Sequence, residues 1–332
     1  MNATHITDIK IKNFRGLAEL ELSGLQAVNL IVGQNNAGKT SLLEAITAVA
    51  APSMIEKLPG LFRTQASETS QFFATDHGGV ASRYLRWLVA DGGSGSEIVA
   101  QIEGGETCLT LSKGSLPARP ERGYKWQFSA EEYAAGWFSR DKVQLKTSVV
   151  SVQHSTPETL VPSFADAVRS PANEALMVKI LNKVDERVQS LRLDYAKNDP
   201  FISVDVGLSE RVPLPHVGQG IYRMVAILSD LLGQRPQICL IDEIENGIHY
   251  TALNQIWRGI AEISRTLGVQ VFATTHSREC LEAANRVFFE EDPASESDFA
   301  VVQLMRARGK VIGKVLGETR VDAALENDIE LR

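Results

Sequence analysis

Ala27-Val28-Asn29-Leu30-Ile31-Val32-Gly33-Gln34-Asn35-Asn36-Ala37-Gly38-Lys39-Thr40-Ser41-Leu42-Leu43-Glu44-Ala45-Ile46 is the stretch that decides the fold. Residues 27–32 are a short apolar run that stops at a glycine, the pattern of a buried strand. From Lys39 to Ala50, Leu42, Leu43, Ile46 and Val49 recur at helical spacing. Between them, residues 33–41 match G-x-x-x-x-G-K-[ST] in full. The residue types follow from phosphate chemistry. Gly33 and Gly38 let the backbone curl so that its N–H groups face phosphate oxygens. The helix start at Lys39 adds partial positive charge. Lys39 can reach β- and γ-phosphates, and Thr40 offers a hydroxyl to Mg2+. A chance glycine-rich turn would lack the flanking strand and helix.

Three further signals lie in the last third. Ile238-Cys239-Leu240-Ile241-Asp242-Glu243 is a buried strand that delivers two adjacent carboxylates at its end, where open α/β sheets bind ligands. Asp242 suits Mg2+ and Glu243 suits a general base. An acidic turn after a strand is the plain alternative, and the phosphate loop weighs against it. His276 follows the apolar run 269–273 one strand later, where it could sense the γ-phosphate; an isolated histidine would more often be structural. His216-Val217-Gly218-Gln219-Gly220 opens a helical stretch over 220–232, and glycines at a helix start make an anion site.

Elsewhere the pattern predicts a first strand near residues 6–12 with a partner around Leu20 and Leu22, and a hairpin of 98–102 with 108–111 about Gly104-Gly105. Glycines at 91–95 suggest another connection. Strands are expected at 143–152, 202–206, 269–273, 287–289 and 299–304, and helices at 173–193, 250–267 and 321–331. Strands alternating with helices predict an α/β P-loop NTPase fold with a mixed sheet flanked by helices. Residues 61–210, strand-rich and without a heptad run, read as an inserted α+β lobe within a core of 1–60 and 211–332.

The 332 residues are 44% hydrophobic and 23% charged, an ordinary globular balance. A net charge of −7 and a pI near 5.5 argue against a surface coated for nucleic acid. Arg83, Arg86, Arg119, Arg122 and Lys125 could form a local basic patch, although such a run is usually a solvated face. Cys108, Cys239 and Cys280 are scattered and suggest neither zinc nor disulfides, which fits a cytoplasmic protein. No apolar run is long enough for a membrane helix.

With Ile11-Lys12-Asn13-Phe14-Arg15-Gly16, GQNNAGKTSLLEAI, LIDEIENGIHY and ATTHS in that order, the chain resembles the ABC ATPase superfamily. The closer likeness is to the branch of RecF, the SMC proteins and the ATPase half of OLD-family proteins. The resemblance implies an ABC-type head that binds ATP and Mg2+. It assigns Gly33, Gln34, Asn35, Asn36, Ala37, Gly38, Lys39, Thr40 and Ser41 to the nucleotide, with Arg15 grouped beside them. Thr40 and Asp242 fall to the metal, Glu243 to catalysis and His276 to the switch position. Residues 245–249 take the place of the D-loop. Gly218-Gln219-Gly220 takes the place of the signature motif, which caps the ATP of a partner subunit. The usual signature serine is absent, with His216 or Val217 in its place, so hydrolysis is expected to be slow. Gln71 is the Q-loop candidate by distance alone.

The resemblance thus implies a homodimer closed by ATP. About fifty residues follow His276, too few for a TOPRIM-type nuclease domain, so a separate effector protein is expected, with anti-phage defence as the setting that other single-head relatives suggest. The competing expectation is a RecF-like, ATP-gated DNA clamp with little hydrolysis. A small-molecule kinase has no task for Gly218–Gly220 or His276, and a transporter ATPase is disfavoured by the start of the chain.

Overall fold

The structure, a computed structural model, describes residues 5–62, 88–89, 95–102, 105–113, 115–116, 126–130, 133–139, 144–150, 157–291, 298–307, 309–317, 320–321, 323 and 325. The chain opens with β1 (Ile6–Phe14) and β2 (Leu17–Ser23), then β3 (Val28–Val32) and α1 (Lys39–Ala50). A 3-10 turn (Pro52–Lys57) and α2 (Leu58–Phe62) follow. Next come β4 (Gly95–Ile102), β5 (Gly105–Lys113), β6 (Trp126–Ala130), β7 (Tyr133–Ser139) and β8 (Thr147–Val150), then α3 (Pro157–Val168) and α4 (Pro171–Asn182). The chain continues through β9 (Ser190–Ala196), β10 (Asp199–Asp205), β11 (Val212–Pro213), α5 (Gln219–Ser229), β12 (Ile238–Ile241), α6 (Leu253–Leu267) and β13 (Gln270–Thr274). It closes with α7 (Arg278–Asn285), β14 (Phe299–Ala307) and β15 (Lys310–Leu316).

The central sheet runs β15-β14-β3-β13-β12-β8. Its strands from β14 to β8 are parallel, and β15 adds an antiparallel edge. Burial on both faces explains the unbroken apolar runs. Leu30, Cys239, Ile241, Val271 and Ala273 face a layer of helices, while Ile31, Ile238, Leu240 and Phe272 face α1 and the second sheet. That second sheet, β2-β1-β4-β5-β7-β6, is antiparallel. Helix α1 lies between the sheets and buries every residue except Thr40, as expected of a helix covered all round.

One polar knot joins the layers. Gln270 is fully buried in β13; its Oε1 accepts from Ile6 N at 2.8 Å, and its Nε2 donates to Ile6 O at 2.8 Å and Gln26 O at 2.9 Å. Buried amide groups need such partners, and here they pin β1 to the central sheet.

The pattern reading and the structure differ in places. Residues 61–210 are not set apart from the core strands. β4 hydrogen-bonds to β1, and β8 pairs with β12, because the open sides of those strands need backbone partners. Among the described residues, β9, β10 and β11 form a sheet of their own. The helix expected over 173–193 ends at Asn182, whose Nδ2 donates to Glu186 O at 3.0 Å and Val188 O at 2.9 Å and turns the chain. Val188 and Leu191 are buried, but in a turn and a strand rather than on a helical face. Val287, Phe288 and Phe289 form a π-helical turn instead of a strand. All three are buried, and Phe288 stacks on Phe299 with centroids 4.4 Å apart. Gln71, residues 91–94, most of the helix expected at 321–331 and the basic residues at 83, 86, 119, 122 and 125 lie outside the described residues.

Candidate active site

The loop that leaves β3 is shaped by its own glycines. Gly33 holds φ +151°, and a Cβ there would stand 2.3 Å from Leu304 O on β14. Gly38 holds φ +94° and would meet Leu17 Cδ2 at 2.9 Å. Asn36, one of the residue types that tolerate the left-handed region, has φ 63°. Ala37 N donates to Gln34 O at 3.1 Å, and Leu42 N to Gly38 O at 2.9 Å, so α1 begins as the loop closes. Lys39 is buried. Its Nζ donates to Gly33 O at 2.6 Å and Gln34 O at 3.0 Å and lies 3.2 Å from His276 Nδ1. An ammonium only donates, so Nδ1 accepts, and a neutral His276 carries its proton on Nε2. Burial pulls the Lys39 pKa down, against the charges of Asp242, Glu245 and Glu243.

The chain leaves β12 at the same edge. Asp242 N donates to Val150 O at 3.1 Å, and Asp242 Oδ1 accepts from Thr274 Oγ1 at 2.6 Å. The same Thr274 oxygen accepts from Glu243 N at 2.8 Å. Burial raises the Asp242 pKa and the Glu243 charge adds to it, while the Thr274 bond and the Arg223 charge oppose. Glu243 has φ 49°, a left-handed conformation costly for a residue with a Cβ. Asn246 Nδ2 donates to Glu243 Oε2 at 3.3 Å, and His276 Nε2 lies 3.6 Å from Glu243 Oε1. Beyond β13, His276 N donates to Glu245 Oε1 at 2.7 Å.

A cavity of about 720 Å³ collects these groups. Asn35, Asn36, Gly38, Lys39, Thr40 and Ser41 form its floor, with Glu243 and His276 on one flank and Gly16, Arg306 and Val311 on the other. Its size suits a small-molecule ligand. The residues fit a triphosphate with a divalent cation. A side chain at Gly33 or Gly38 would clash with the surrounding atoms, and Thr40 and Asp242 offer hard oxygen donors of the kind Mg2+ takes with phosphate and water.

Gly218, Gln219 and Gly220 lie elsewhere. Gly218 (φ 139°) caps α5, and the loop packs on residues 247–248: a Cβ on Gly220 would lie 3.3 Å from Gly247 O, and one on Gly247 3.3 Å from Gln219 Cβ. The signature-like and D-loop-like segments therefore share one surface, apart from the cavity's described walls. Arg15 is not among those walls either. Its Nε pairs with Glu44 Oε2 at 2.6 Å, because Glu44 is fully buried on α1 and needs a cation. Its neighbour Gly16 lines the cavity instead.

Two residues escape the sequence reading. Arg223 on α5 is 5% exposed and donates through Nη2 to Asp242 O at 2.7 Å and Val150 O at 3.4 Å. Burial lowers its pKa to about 10, so it stays charged at neutral pH near Asp242, Glu243 and Glu245. It stands three positions after Gly220, but a lone arginine on a helix gives no signal of burial. Arg306 lies on a strand whose apolar pattern only marks it as core.

Comparison with known proteins agrees with this geometry. A family model described as "AAA domain, putative AbiEii toxin, Type IV TA system" matches residues 56–282, and one described as "AAA ATPase domain" matches residues 5–94. An "ATP/GTP phosphatase" of Helicobacter pylori is 23% identical over 88% of this chain and 90% of its own length. A "DNA replication and repair protein RecF" of Bacillus mycoides is 51% identical, over 14% of this chain and 12% of that protein. The fold is that of an SMC head bound to the C-winged helix domain of ScpA, with TM-score 0.62 and 11% identity over 95% of this chain and 99% of that one. With more than half of its residues matched, the chain belongs to the first of these AAA families, and its fold is shared with SMC heads.

Proposed function

We propose that this ATPase binds ATP with Mg2+ between residues 33–41 and the ends of β12 and β13, and hydrolyses it slowly. The observation that carries the reading is the convergence of Lys39, Glu243 and His276 on one cavity edge, with Thr274 holding Glu243 and the adjacent Asp242 in place. Thr40 and Asp242 would hold the Mg2+, which supplies charge neutralisation at the phosphates. Lys39 holds the β- and γ-phosphates. Glu243, whose carboxylate reaches the cavity, takes the proton of the attacking water, and His276 donates through Nε2–H to the γ-phosphate.

The site is incomplete in one chain. Gly218–Gly220 faces outward beside residues 247–248, which supports capping of a second copy's nucleotide in a head-to-head homodimer. ATP then acts as a dimerisation switch. His216 or Val217 in the serine position leaves that cap without its usual hydroxyl and supports slow turnover. The dimer would drive or gate a separate effector protein in the cytoplasm, in a defence role consonant with the toxin–antitoxin wording of the family description. The RecF-like clamp has less support, since that likeness spans about an eighth of each protein. Replacing Glu243 with Gln should lower turnover by about a hundredfold or more and leave an ATP-bound dimer that elutes as such. Undiminished phosphate release would remove Glu243 from catalysis, and a monomer with ATP bound would sink the dimer switch.

A further inference from the structure

Sheet order gives the cavity two unlike flanks. β13 and β12, with His276 and Glu243 beyond their ends, stand on one side of β3, and β14 stands on the other. β14 last pairs with β3 at Gln303 and Val32, then continues past the loop, where Leu304 O closes on Gly33. Arg306 lies two residues further and pairs with Val311 across the β14–β15 hairpin. Directly opposed residues share a face. Val311 is buried with its Cγ2 3.7 Å from the Cβ position of Gly38, so Arg306 projects over the junction of loop and α1. Arg306 is exposed and makes no ion pair or hydrogen bond with the described residues.

We propose that Arg306 holds the nucleoside end of the nucleotide, its guanidinium lying against the face of the base. The inference rests on the proposed placement of the γ-phosphate between Lys39, Glu243 and His276. A nucleotide with its γ-phosphate on the β12–β13 flank leaves the loop by the opposite flank. There the described walls offer the bare backbone of Gly16, the apolar Val311 and the Arg306 cation. A planar guanidinium stacks on an aromatic ring as an ammonium does not, and apolar walls suit the rest of a purine. On this flank no described side chain offers an acceptor for an exocyclic amine, so adenine and guanine nucleotides should be held alike.

Equilibrium titration tests the assignment, using ATP, GTP, ADP and inorganic tripolyphosphate with Mg2+ against the full chain. Arg306→Ala should weaken ATP, GTP and ADP by about tenfold while changing tripolyphosphate by less than about twofold. Arg306→Lys should recover only a minor part of the loss. Lys39→Ala should weaken all four ligands. Arg306 is exposed, so an unchanged thermal midpoint confirms that its variants fold. If Arg306→Ala leaves ATP binding intact while Lys39→Ala destroys it, the proposal fails and the phosphate site stands. Equal losses for ATP and tripolyphosphate, or full recovery by Arg306→Lys, would make Arg306 a phosphate contact and overturn the base contact. A wild-type preference of more than about tenfold for ATP over GTP would overturn the tolerance of both purines. Lys39→Ala without effect on any ligand would remove the phosphate site, and this inference with it.

Discussion

The two junctions that meet at the cavity keep their shape by different means. The loop after β3 carries its instructions in its own residues: glycine at φ +151° and +94°, and asparagine at 63°. The turn after β12 places Glu243 at φ 49° with no glycine to ease it. Neighbours impose that conformation. Thr274 Oγ1 accepts from Glu243 N, Ile244 N donates to Thr274 O at 3.0 Å, Asn246 N donates to Glu243 O at 3.0 Å, and Arg223 holds Asp242 O. Such strain costs about 1–3 kcal/mol and persists only where the surroundings over-determine it. A phosphate cradle can thus be encoded locally, whereas a strained carboxylate depends on tertiary structure.

The largest effect should come from breaking the local junction. Gly33→Ala drives a Cβ to 2.3 Å from a backbone oxygen on β14. We expect a loss on the order of 3 kcal/mol, read from urea unfolding, together with loss of ATP binding. Gly24→Ala is the control, since Gly24 has φ +81° but no atom within 4 Å of the added carbon. That control should cost only about 1–2 kcal/mol. Equal losses at the two positions would mean that φ alone, not the approach of β14, demands glycine at 33.

A smaller effect should follow at the imposed junction. Thr274→Val keeps the shape of a fully buried side chain but removes the donor to Asp242 and the acceptor for Glu243 N. Stability should fall by about 1–3 kcal/mol, and turnover with it, because the Glu243 backbone is released from its turn. Thr274→Ser restores both bonds and should restore turnover. If the Thr274→Val variant supports normal turnover, the threonine is only a packing residue.

The same contrast explains what is and is not legible in the sequence. α1 begins and ends where its periodicity predicts, and β12 occupies 238–241 as expected, because both are bounded by loop or turn residues adjacent in sequence. The antiparallel pair of β4 and β5 is equally legible. Its pairing with β1, some ninety residues upstream, is not, since β1 alternates in the same way whichever strand it meets. The helix expected over 173–193 stops short because Val188 and Leu191 fall at helical spacing yet reach the core from a turn and a strand. Gln270 is no more than a polar residue within an apolar run by pattern, although its amide ties two sheets together. At the candidate site, the positions of Lys39, Asp242, Glu243 and His276 are legible because each follows a buried strand or begins a helix. The positions of Arg223 and Arg306 are not, because they depend on which strands lie beneath them. Arg15 matches a motif, but a buried carboxylate on α1 claims its side chain.

Arg223 sharpens the comparison furthest while altering stability least. It bridges α5, which starts at the outward-facing Gly218–Gly220, to the backbone of Asp242. Its Nε and Nη1 are buried without hydrogen-bond partners among the described residues, so the ion is incompletely compensated there. Removing an ion so poorly compensated returns its desolvation cost, which offsets the hydrogen bond lost at Asp242 O. Arg223→Met should therefore change unfolding free energy by no more than about 1 kcal/mol. Turnover should still fall by about tenfold, because one lost hydrogen bond to the Asp242 carbonyl, worth about 1.4 kcal/mol at the transition state, loosens the carboxylate edge. Binding of ATP in the absence of turnover should change little, since Lys39 and the loop are untouched. A loss of about 3–5 kcal/mol in stability would show instead that the guanidinium balances Asp242, Glu243 and Glu245 as a structural ion cluster. Normal turnover would show that Thr274 alone holds the strained turn, and that α5 is not mechanically tied to it.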